Sequence, residues 1–231
     1  DENEEQFTIT VETTDNGTAS GTGTITDNDT MVVTIGDANE TEATDLVFDV
    51  NISVPASTDT DVAITYTSGT AGTDDYTEVT TTVTIPAGDL GTTVTVPSTD
   101  DLIDEGEEQF TITATIPNGS TDDGTGTIVD DDTAGISISD ANETEGTDLV
   151  FDVNLTTSSA TDTDVTITYT SGTAGTDDYT EVTTTVTIPA GDTGVTVTVP
   201  TTDDTIDENE EQFTITVETT DNGTASGTGT I

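Results

Sequence analysis

The sequence predicts an all-β protein built from tandem antiparallel β-sandwiches, and three observations lead to this prediction. Apolar residues alternate with polar ones at every second position, as they do in half-buried strands. The segments between these stretches are rich in Gly, Asp, Asn and Pro, and no stretch has the 3.6-residue period of an amphipathic helix. The whole pattern recurs along the chain with a period of 103 residues.

This repeat divides the 231 residues into three parts. Residues 64–89 are identical to residues 167–192. Residues 1–25 are identical to residues 207–231, whereas the corresponding segment 104–128 differs from these two copies at several positions. Two alternating repeats therefore form a longer period of 206 residues, and we expect the chain to be a segment of a longer tandem array. The predicted domains are the C-terminal part of a preceding repeat in 1–29, a complete repeat in 30–132, and a repeat lacking its last residues in 133–231.

The predicted strands of the complete repeat are short. In 46–52, for example, the apolar Leu46, Phe48, Val50 and Ile52 occupy every second position. The same alternation occurs in 62–66, 83–85, 94–96 and 110–116, and β-branched stretches at 33–35 and 126–128 bring the set to about seven strands. About seven short strands in one repeat of this length are typical of a β-sandwich.

The charge excludes several functions. The chain has 49 Asp or Glu and no Lys, Arg or His, which gives a formal net charge of −49. Without cations to contact phosphates, it is not expected to bind nucleic acid or an anionic membrane surface directly. Without His, Cys or Lys, only a carboxylate pair of the glycosidase kind remains open for catalysis, and the chain has no Trp to form a sugar-binding platform. We therefore predict that the protein is not an enzyme.

An apolar content of 29% at this net charge is also typical of disordered, mucin-like chains. The regular alternation and the long repeat favour a folded protein instead.

The acidic residues outside the predicted strands form clusters. In the complete repeat they lie at Glu40, at Asp74-Asp75, at Asp100-Asp101 with Glu105, and at 130–132. We expect these clusters to meet in loops at one end of the sandwich. Several carboxylates from separate loops suit Ca²⁺, which takes six to eight oxygen ligands, better than Mg²⁺, which prefers a strict octahedron. The alternative is a solvated acidic surface of the kind that halophilic proteins carry.

Several spaced motifs resemble those of the Calx-beta family. They are the string from Tyr66 to Tyr76 with its Gly-Thr-Ala and Asp-Tyr elements, Ile-Pro-Ala-Gly-Asp at 85–89, Asp-Glu-Gly-Glu-Glu-Gln-Phe at 104–110, and Gly-Thr-Ile-Val-Asp-Asp-Asp at 126–132. The resemblance extends over both repeats and the leading part. It implies an immunoglobulin-like two-sheet sandwich with Ca²⁺ bound in loops at one end, as in sodium–calcium exchangers, some integrins and bacterial surface arrays.

The resemblance also implies a set of metal ligands. In the complete repeat they fall on Glu40, Asp75, Asp100, Asp101, Glu105, Asp130, Asp131 and Asp132. In the second repeat they fall on Glu143, Asp178, Asp203, Asp204 and Glu208. In the leading part they fall on Glu2, Asp27 and Asp29, with the neutral Asn28 where the family has Asp.

Near-identical consecutive repeats favour a calcium-stabilised structural segment of an extracellular adhesin stalk or surface filament, because a spacer needs length and not variety. The alternative is a calcium-sensing regulatory module like that of the exchangers. The expected partners are neighbouring repeats of the same array, with self-association into a filament. The strands in 1–29 need covering strands, either from an upstream repeat of the same chain or from another subunit.

Overall fold

The computed structural model describes residues 4–205, 207 and 209–231. Every regular element among them is a β-strand, so the predicted all-β class is confirmed. Among these residues, no helix has the length and apolar character needed to cross a membrane. The calcium ligands that the family resemblance implies at Glu2 and Glu208 lie outside the described residues.

The first repeat contains eight strands in two sheets. They are β3 (Val33–Ile35), β4 (Ala38–Thr41), β5 (Leu46–Ile52), β6 (Thr60–Ser68), β7 (Thr82–Ile85), β8 (Gly91–Val96), β9 (Glu108–Thr115) and β10 (Thr121–Val129). The larger sheet has the order β4-β10-β9-β6-β7, and the smaller has the order β3-β5-β8. All pairs are antiparallel except β4 with β10, which is parallel.

Apolar alternation explains six of these strands, and a seventh, β10, follows from the β-branched stretch at 126–128. In β5 every second side chain is buried and the others are exposed, as the sequence pattern predicts. The buried faces of the two sheets form one core, in which the ring of Phe48 meets that of Phe110 edge-on at 6.0 Å. The eighth strand, β4, has no apolar alternation because it is an edge strand held by backbone pairing to β10, so Glu40 lies in a strand and not in a loop.

The second repeat reproduces this arrangement. Its strands are β11 (Ile136–Ile138), β12 (Ala141–Asn142), β13 (Leu149–Leu155), β14 (Thr163–Ser171), β15 (Thr185–Ile188), β16 (Gly194–Val199), β17 (Gln212–Glu218) and β18 (Thr224–Thr230). The sheets have the orders β12-β18-β17-β14-β15 and β11-β13-β16. Phe151 and Phe213 take the places of Phe48 and Phe110, with ring centroids 6.1 Å apart.

Before the first repeat lies a hairpin of β1 (Glu5–Thr13) and β2 (Gly17–Ile25), which form a two-stranded sheet of their own. The turn between them contains Gly17 with a φ of 86°, in the left-handed region that favours glycine. The apolar side chains of this hairpin are exposed, among them Phe7, Ile9 and Val11.

Contacts divide the chain into two compact units. Unit 1 contains the described residues of 1–100 and 107–129, and unit 2 contains 101–106 and the described residues of 130–231. The segment 101–106 joins β8 to β9 along the chain but belongs to unit 2 through Asp104. The Asp104 backbone N–H donates to the carbonyl of Ser158 at 3.0 Å. Its carboxylate accepts from the N–H of Ala134 at 3.2 Å and from Nδ2 of Asn222 at 3.0 Å.

Candidate metal centre

A stacked aromatic pair brings two acidic residues together in unit 1. The rings of Tyr76 and Phe110 lie 4.0 Å apart and nearly parallel, and both are buried. Asp75 directly precedes the tyrosine, and Glu108 lies two residues before the phenylalanine. Packing of the rings therefore places both acids at the same edge of the core, where their carboxylate oxygens come within 4.8 Å of one another.

The same arrangement recurs in unit 2, where it lines an open depression. Tyr179 and Phe213 are stacked at 4.0 Å, and Asp178 and Glu211 stand beside them in the chain. The depression has a volume of about 360 Å³, and its acidic lining consists of Glu143, Glu145, Asp178, Glu210 and Glu211. Carboxylates from three separated segments of the sequence therefore face one space.

Backbone hydrogen bonds hold the segments that carry these acids. The carboxylate of Asp178 accepts the N–H of Gly175 at 2.7 Å, while its backbone carbonyl accepts the N–H of Thr202 at 2.8 Å. Glu211 and Ile231 exchange two backbone hydrogen bonds of 2.9 Å. The N–H of Glu143 donates to the carbonyl of Thr230 at 3.1 Å. Each acid is thus carried by a fixed backbone position, and a carboxylate keeps further lone pairs for another ligand.

The electrostatics of this edge favour a bound cation. Asp75 and Glu108 are both half-buried, and the chain has no Lys, Arg or His that could pair with them. At 4.8 Å, the upper limit of the distance between these oxygens, two unit charges repel by roughly 3 kcal/mol at an effective dielectric constant of 20, before screening by salt. A divalent cation would turn this repulsion into attraction.

The ligands implied for the second repeat lie at or beside the depression. Glu143 and Asp178 line it. Asp203 and Asp204 are exposed and follow Thr202, which also lines it. Asp203 packs against Gly146, where a Cβ would lie only 2.8 Å from the aspartate Cβ.

The ligands implied for the first repeat are divided between the two units. Glu40, Asp75 and Asp100 belong to unit 1, whereas Asp101, Glu105 and Asp130 to Asp132 belong to unit 2. Within unit 2, Asp130 is the centre of a tight cluster.

The carboxylate of Asp130 accepts the N–H of Glu105 at 2.8 Å and the N–H of Asp132 at 3.1 Å. Carboxylate oxygens of Asp130 and Asp132 lie within 4.8 Å of one another. Asp131 is exposed, and the carboxylate of the exposed Asp101 accepts the N–H of Ile103 at 2.7 Å.

The leading part contains a smaller version of this turn. The carboxylate of Asp27 accepts the N–H of Asp29 at 3.1 Å, as that of Asp130 does for Asp132. Asn28, at the middle position, is exposed like Asp131. The change from Asp to Asn leaves the turn geometry the same and removes one charge.

Three kinds of acid at these sites were not predicted from the sequence, namely Glu108 with its counterpart Glu211, Glu145, and Glu210. Glu108 and its counterpart Glu211 precede a buried phenylalanine by two residues, and a search for acids next to alternating strands would have found them. Glu145 follows Glu143 by two residues and lies in a turn with Gly146, beyond the end of β12, so no strand period indicates its place. The place of each of these acids at the site depends on which segments come together in the fold.

The donor set fits calcium. The acids of the depression offer only carboxylate oxygens, and the amide of Asn209 and the hydroxyls of Thr144 and Thr202 add neutral oxygens. Ca²⁺ takes six to eight oxygens in flexible geometry, so an open site lined by several carboxylates suits it. A site without imidazole or thiolate does not favour zinc.

Comparison with known proteins places this arrangement in a family. The family model described as the Calx-beta domain matches residues 26–142 and again residues 130–230. The chain belongs to the Calx-beta family. Calx-beta domains are calcium-binding domains and not enzymes, and the chain carries them in tandem.

Three solved structures of this family are similar to the chain at low identity. The calcium-binding domain CBD12 of CALX1.1 is 17% identical over 80% of this chain and 79% of that one, with a TM-score of 0.38. CBD12 from CALX1.2 gives the same identity and coverage, with a TM-score of 0.40. The apo form of the Calx CBD1 domain is 19% identical over 44% of this chain and 99% of that one, with a TM-score of 0.39. Among curated protein sequences, none matches the chain.

Proposed function

We propose that the chain is a calcium-stabilised structural segment of an extracellular tandem array, the stalk of an adhesin or a surface filament. The observation that carries this proposal is the repetition of one acid pair on one aromatic stack. Asp75 and Glu108 stand beside Tyr76 and Phe110 in unit 1, and the same four residue types recur in unit 2. Repeats that differ so little supply length and stiffness, not a variety of binding surfaces.

Calcium would act on this segment through stability. Without a cation, the acids at each site repel one another, and the net stability of a small domain is only about 5–15 kcal/mol. A ligand that binds only the folded state stabilises it by about 1.4 kcal/mol at ten times its dissociation constant. Several sites along an array would therefore stiffen it wherever calcium is abundant, as it is outside cells.

The partners follow from the same reasoning. We propose that neighbouring repeats of the array are the main contacts, with self-association into a filament, and that the segment has no catalytic role. A net charge of −49 without a single cation argues against nucleic acid and against direct membrane binding. The proposed location is the cell surface or the extracellular matrix.

The first test compares two substitutions that each remove one negative charge. Asp178→Asn acts on the depression of unit 2, while Asp152→Asn acts on an exposed position of β13 and serves as the control. In EGTA at constant ionic strength, Asp178→Asn should raise the melting temperature of unit 2, because it relieves repulsion. Adding calcium should raise the melting temperature of unit 2 much less in the Asp178→Asn variant than in the unchanged protein. Scanning calorimetry and calorimetric titration measure both effects.

Two outcomes would contradict the calcium site. One is an equal response of the two variants to calcium. The other is full recovery of the chelated protein in about 2 M KCl, where the Debye length is below about 3 Å, because recovery by salt alone would make the acids a salt-adapted surface.

The calcium affinity separates the structural role from the sensing role. Extracellular modules bind Ca²⁺ with dissociation constants of about 10⁻⁴–10⁻³ M, whereas sensors bind at about 10⁻⁷–10⁻⁵ M. The sensing alternative follows from the family, whose members include domains of sodium–calcium exchangers. A dissociation constant in the micromolar range or below would support it over the spacer.

A further inference from the structure

Glutamine is rare in this chain, and in each unit it lies opposite a threonine. The whole sequence contains only three Gln, at positions 6, 109 and 212. In unit 1, Gln109 of β9 is paired directly with Thr127 of β10. In unit 2, Gln212 of β17 is paired with Thr230 of β18. Both units therefore place one carboxamide beside one hydroxyl at the same point of the five-stranded sheet.

The side chains of each pair are in contact. Nε2 of Gln109 donates to Oγ1 of Thr127 at 3.3 Å, and Nε2 of Gln212 donates to Oγ1 of Thr230 at the same distance. The carboxamide carbon Cδ is bonded to Nε2, so a small rotation of the glutamine side chain brings Cδ to the hydroxyl oxygen. A nucleophile and an acyl carbon thus lie side by side in both units.

The strand pairing suits a covalent bond between these side chains. Glu211 and Ile231 exchange two backbone hydrogen bonds of 2.9 Å. The neighbouring pair, Gln212 with Thr230, is therefore of the non-hydrogen-bonded type, in which opposite Cβ atoms are close, at about 4.5–5.5 Å. The atoms Cβ–Cγ–Cδ–Oγ1–Cβ of a Gln–Thr ester match this separation, so the ester needs no change of register.

The two groups differ in exposure, and the difference protects an ester. Thr127 and Thr230 are each only 7% exposed, whereas Gln109 and Gln212 are exposed. On its other side Thr127 is paired with Asn39 of β4, which helps to cover it. A leaving group can therefore escape from the carboxamide to solvent, while water has little access to the oxygen of the product.

A carboxylate shares this place in unit 1. Asp37 lines a depression of about 420 Å³ together with Gln109 and Thr127. The carboxylate of Asp37 is held there because it accepts the N–H of Thr125 at 2.7 Å, and that of Asp140 in unit 2 is held in the same way. Through a water molecule, such a carboxylate can take the hydroxyl proton and pass it to the departing nitrogen.

We propose that each unit forms an intramolecular ester, between Gln109 and Thr127 in unit 1 and between Gln212 and Thr230 in unit 2. Oγ1 attacks Cδ, the Oγ1–Cδ bond forms, and the Cδ–Nε2 bond breaks. The nitrogen leaves as ammonia, carrying the proton that the hydroxyl gave up, so no oxidant, metal or further reactant is consumed. Holding the two groups together lowers the barrier, and the escape of ammonia into water draws the reaction forward.

The ester would be a covalent cross-link in a chain whose composition forbids the commoner kinds. The sequence has no Cys for a disulfide and no Lys for an isopeptide bond. The bond ties β9 to β10 in unit 1 and β17 to β18 in unit 2, and it closes a loop that limits the freedom of the unfolded chain. Its formation depends on neither calcium ligation nor location, so it stands apart from the proposed function.

The experiment measures the mass of the full chain. The folded protein is incubated in calcium at about pH 8, and each ester formed should lower the intact mass by about 17 Da, giving a loss of about 34 Da in all. Cleavage on the amino side of Asp122 and Asp221 separates each Gln from its Thr along the chain, so the peptides stay joined only where an ester exists. Dilute alkali should then separate them and leave Glu in place of Gln.

Each unit serves as the internal control of the other. Thr127→Val removes the hydroxyl of unit 1 and should halve the mass loss, and Gln109→Glu, which has no ammonia to release, should do the same. Thr125→Val changes the next threonine on the same face of β10 and should leave both esters intact. Asp37→Asn should slow the cross-linking of unit 1 at least about tenfold relative to unit 2.

Hairpin β1–β2 provides a pair that should not react. Gln6 is paired with Thr24, but both residues are exposed, and Nε2 of Gln6 contacts Glu4 at 3.4 Å. The proposal is overturned if the intact mass stays constant, if Thr127→Val loses as much mass as the unchanged chain, or if the joined peptides link Thr127 to Asn39. Cross-linking of Gln6 as fast as that of Gln109 would overturn the requirement for a covered hydroxyl, and equal rates in both units of Asp37→Asn would overturn the role of Asp37.

Discussion

Phe213 and Phe7 stand in the same local sequence, and their replacement by alanine should have very different consequences. The Phe213 ring is 1% exposed, stacks on Tyr179 at 4.0 Å and meets Phe151 at 6.1 Å, so Phe213→Ala leaves a cavity in the centre of unit 2. Such a change costs about 3–5 kcal/mol. The ring of Phe7 is 49% exposed, so Phe7→Ala should change stability by less than about 0.5 kcal/mol.

Scanning calorimetry at saturating calcium measures the difference. For a domain of this size, about 1 kcal/mol shifts the melting temperature by roughly 4–8 °C, so Phe213→Ala should lower the transition of unit 2 by roughly 12 °C or more. The equivalent change in unit 1, Phe110→Ala, should lower the other transition and serves to assign the two.

Two results would refute this reasoning. If Phe7→Ala destabilised the protein as much as Phe213→Ala, the hairpin would be packed against a core in solution. If Phe213→Ala cost less than about 1 kcal/mol, the stacked pair would not organise unit 2, and the placement of Asp178 beside Glu211 would need another cause.

Three further predictions concern unit 2. Gly227→Ala should destabilise it by about 1–3 kcal/mol because the new Cβ meets a backbone carbonyl, whereas Gly21→Ala, which faces open space, should be nearly neutral in the same thermal melts. Asn222→Ala should cost about 1–3 kcal/mol in urea denaturation, since it removes a 3.0 Å hydrogen bond to the half-buried carboxylate of Asp104, and an unchanged midpoint would contradict the role given to that residue. Burial raises the pKa of the Tyr169 hydroxyl above 10.0, so the folded state keeps a proton that the unfolded chain loses. Stability should therefore be unaffected by this group below about pH 10 and fall above it, and Tyr169→Phe should flatten that fall in melts recorded from pH 8 to 12.

Strand positions could be predicted because burial on one face of a strand leaves a two-residue period in the sequence. Leu46 to Ile52 shows this period, and β5 buries every second residue as expected. The short strand β4 was not predicted, because its four residues show no alternation of apolar and polar side chains. It forms because β10 has a free edge with which β4 can pair. Edge strands of this kind are set by a partner distant in sequence and not by their own composition.

The candidate metal centre could likewise be predicted only in part. Asp75 could be singled out because it precedes a tyrosine in a motif that resembles those of the Calx-beta family. Glu108 could not be paired with Asp75, because the stacking of Tyr76 on Phe110 is what brings the two acids within 4.8 Å of one another. Neither segment by itself predicts that these two rings stack. Nor does the sequence tell that residues 101–106 belong to unit 2.

The identical stretches 1–25 and 207–231 separate what local sequence determines from what tertiary structure decides. The sequence by itself determined the hairpin, its turn and its register, since both copies pair their strands in the same way and place a phenylalanine ring over a glycine. Only the tertiary structure decided whether that hairpin is core or surface. Burial requires a second surface to exclude water, and the strands that provide it for Phe213 lie far away in the chain, while none covers Phe7 among the described residues.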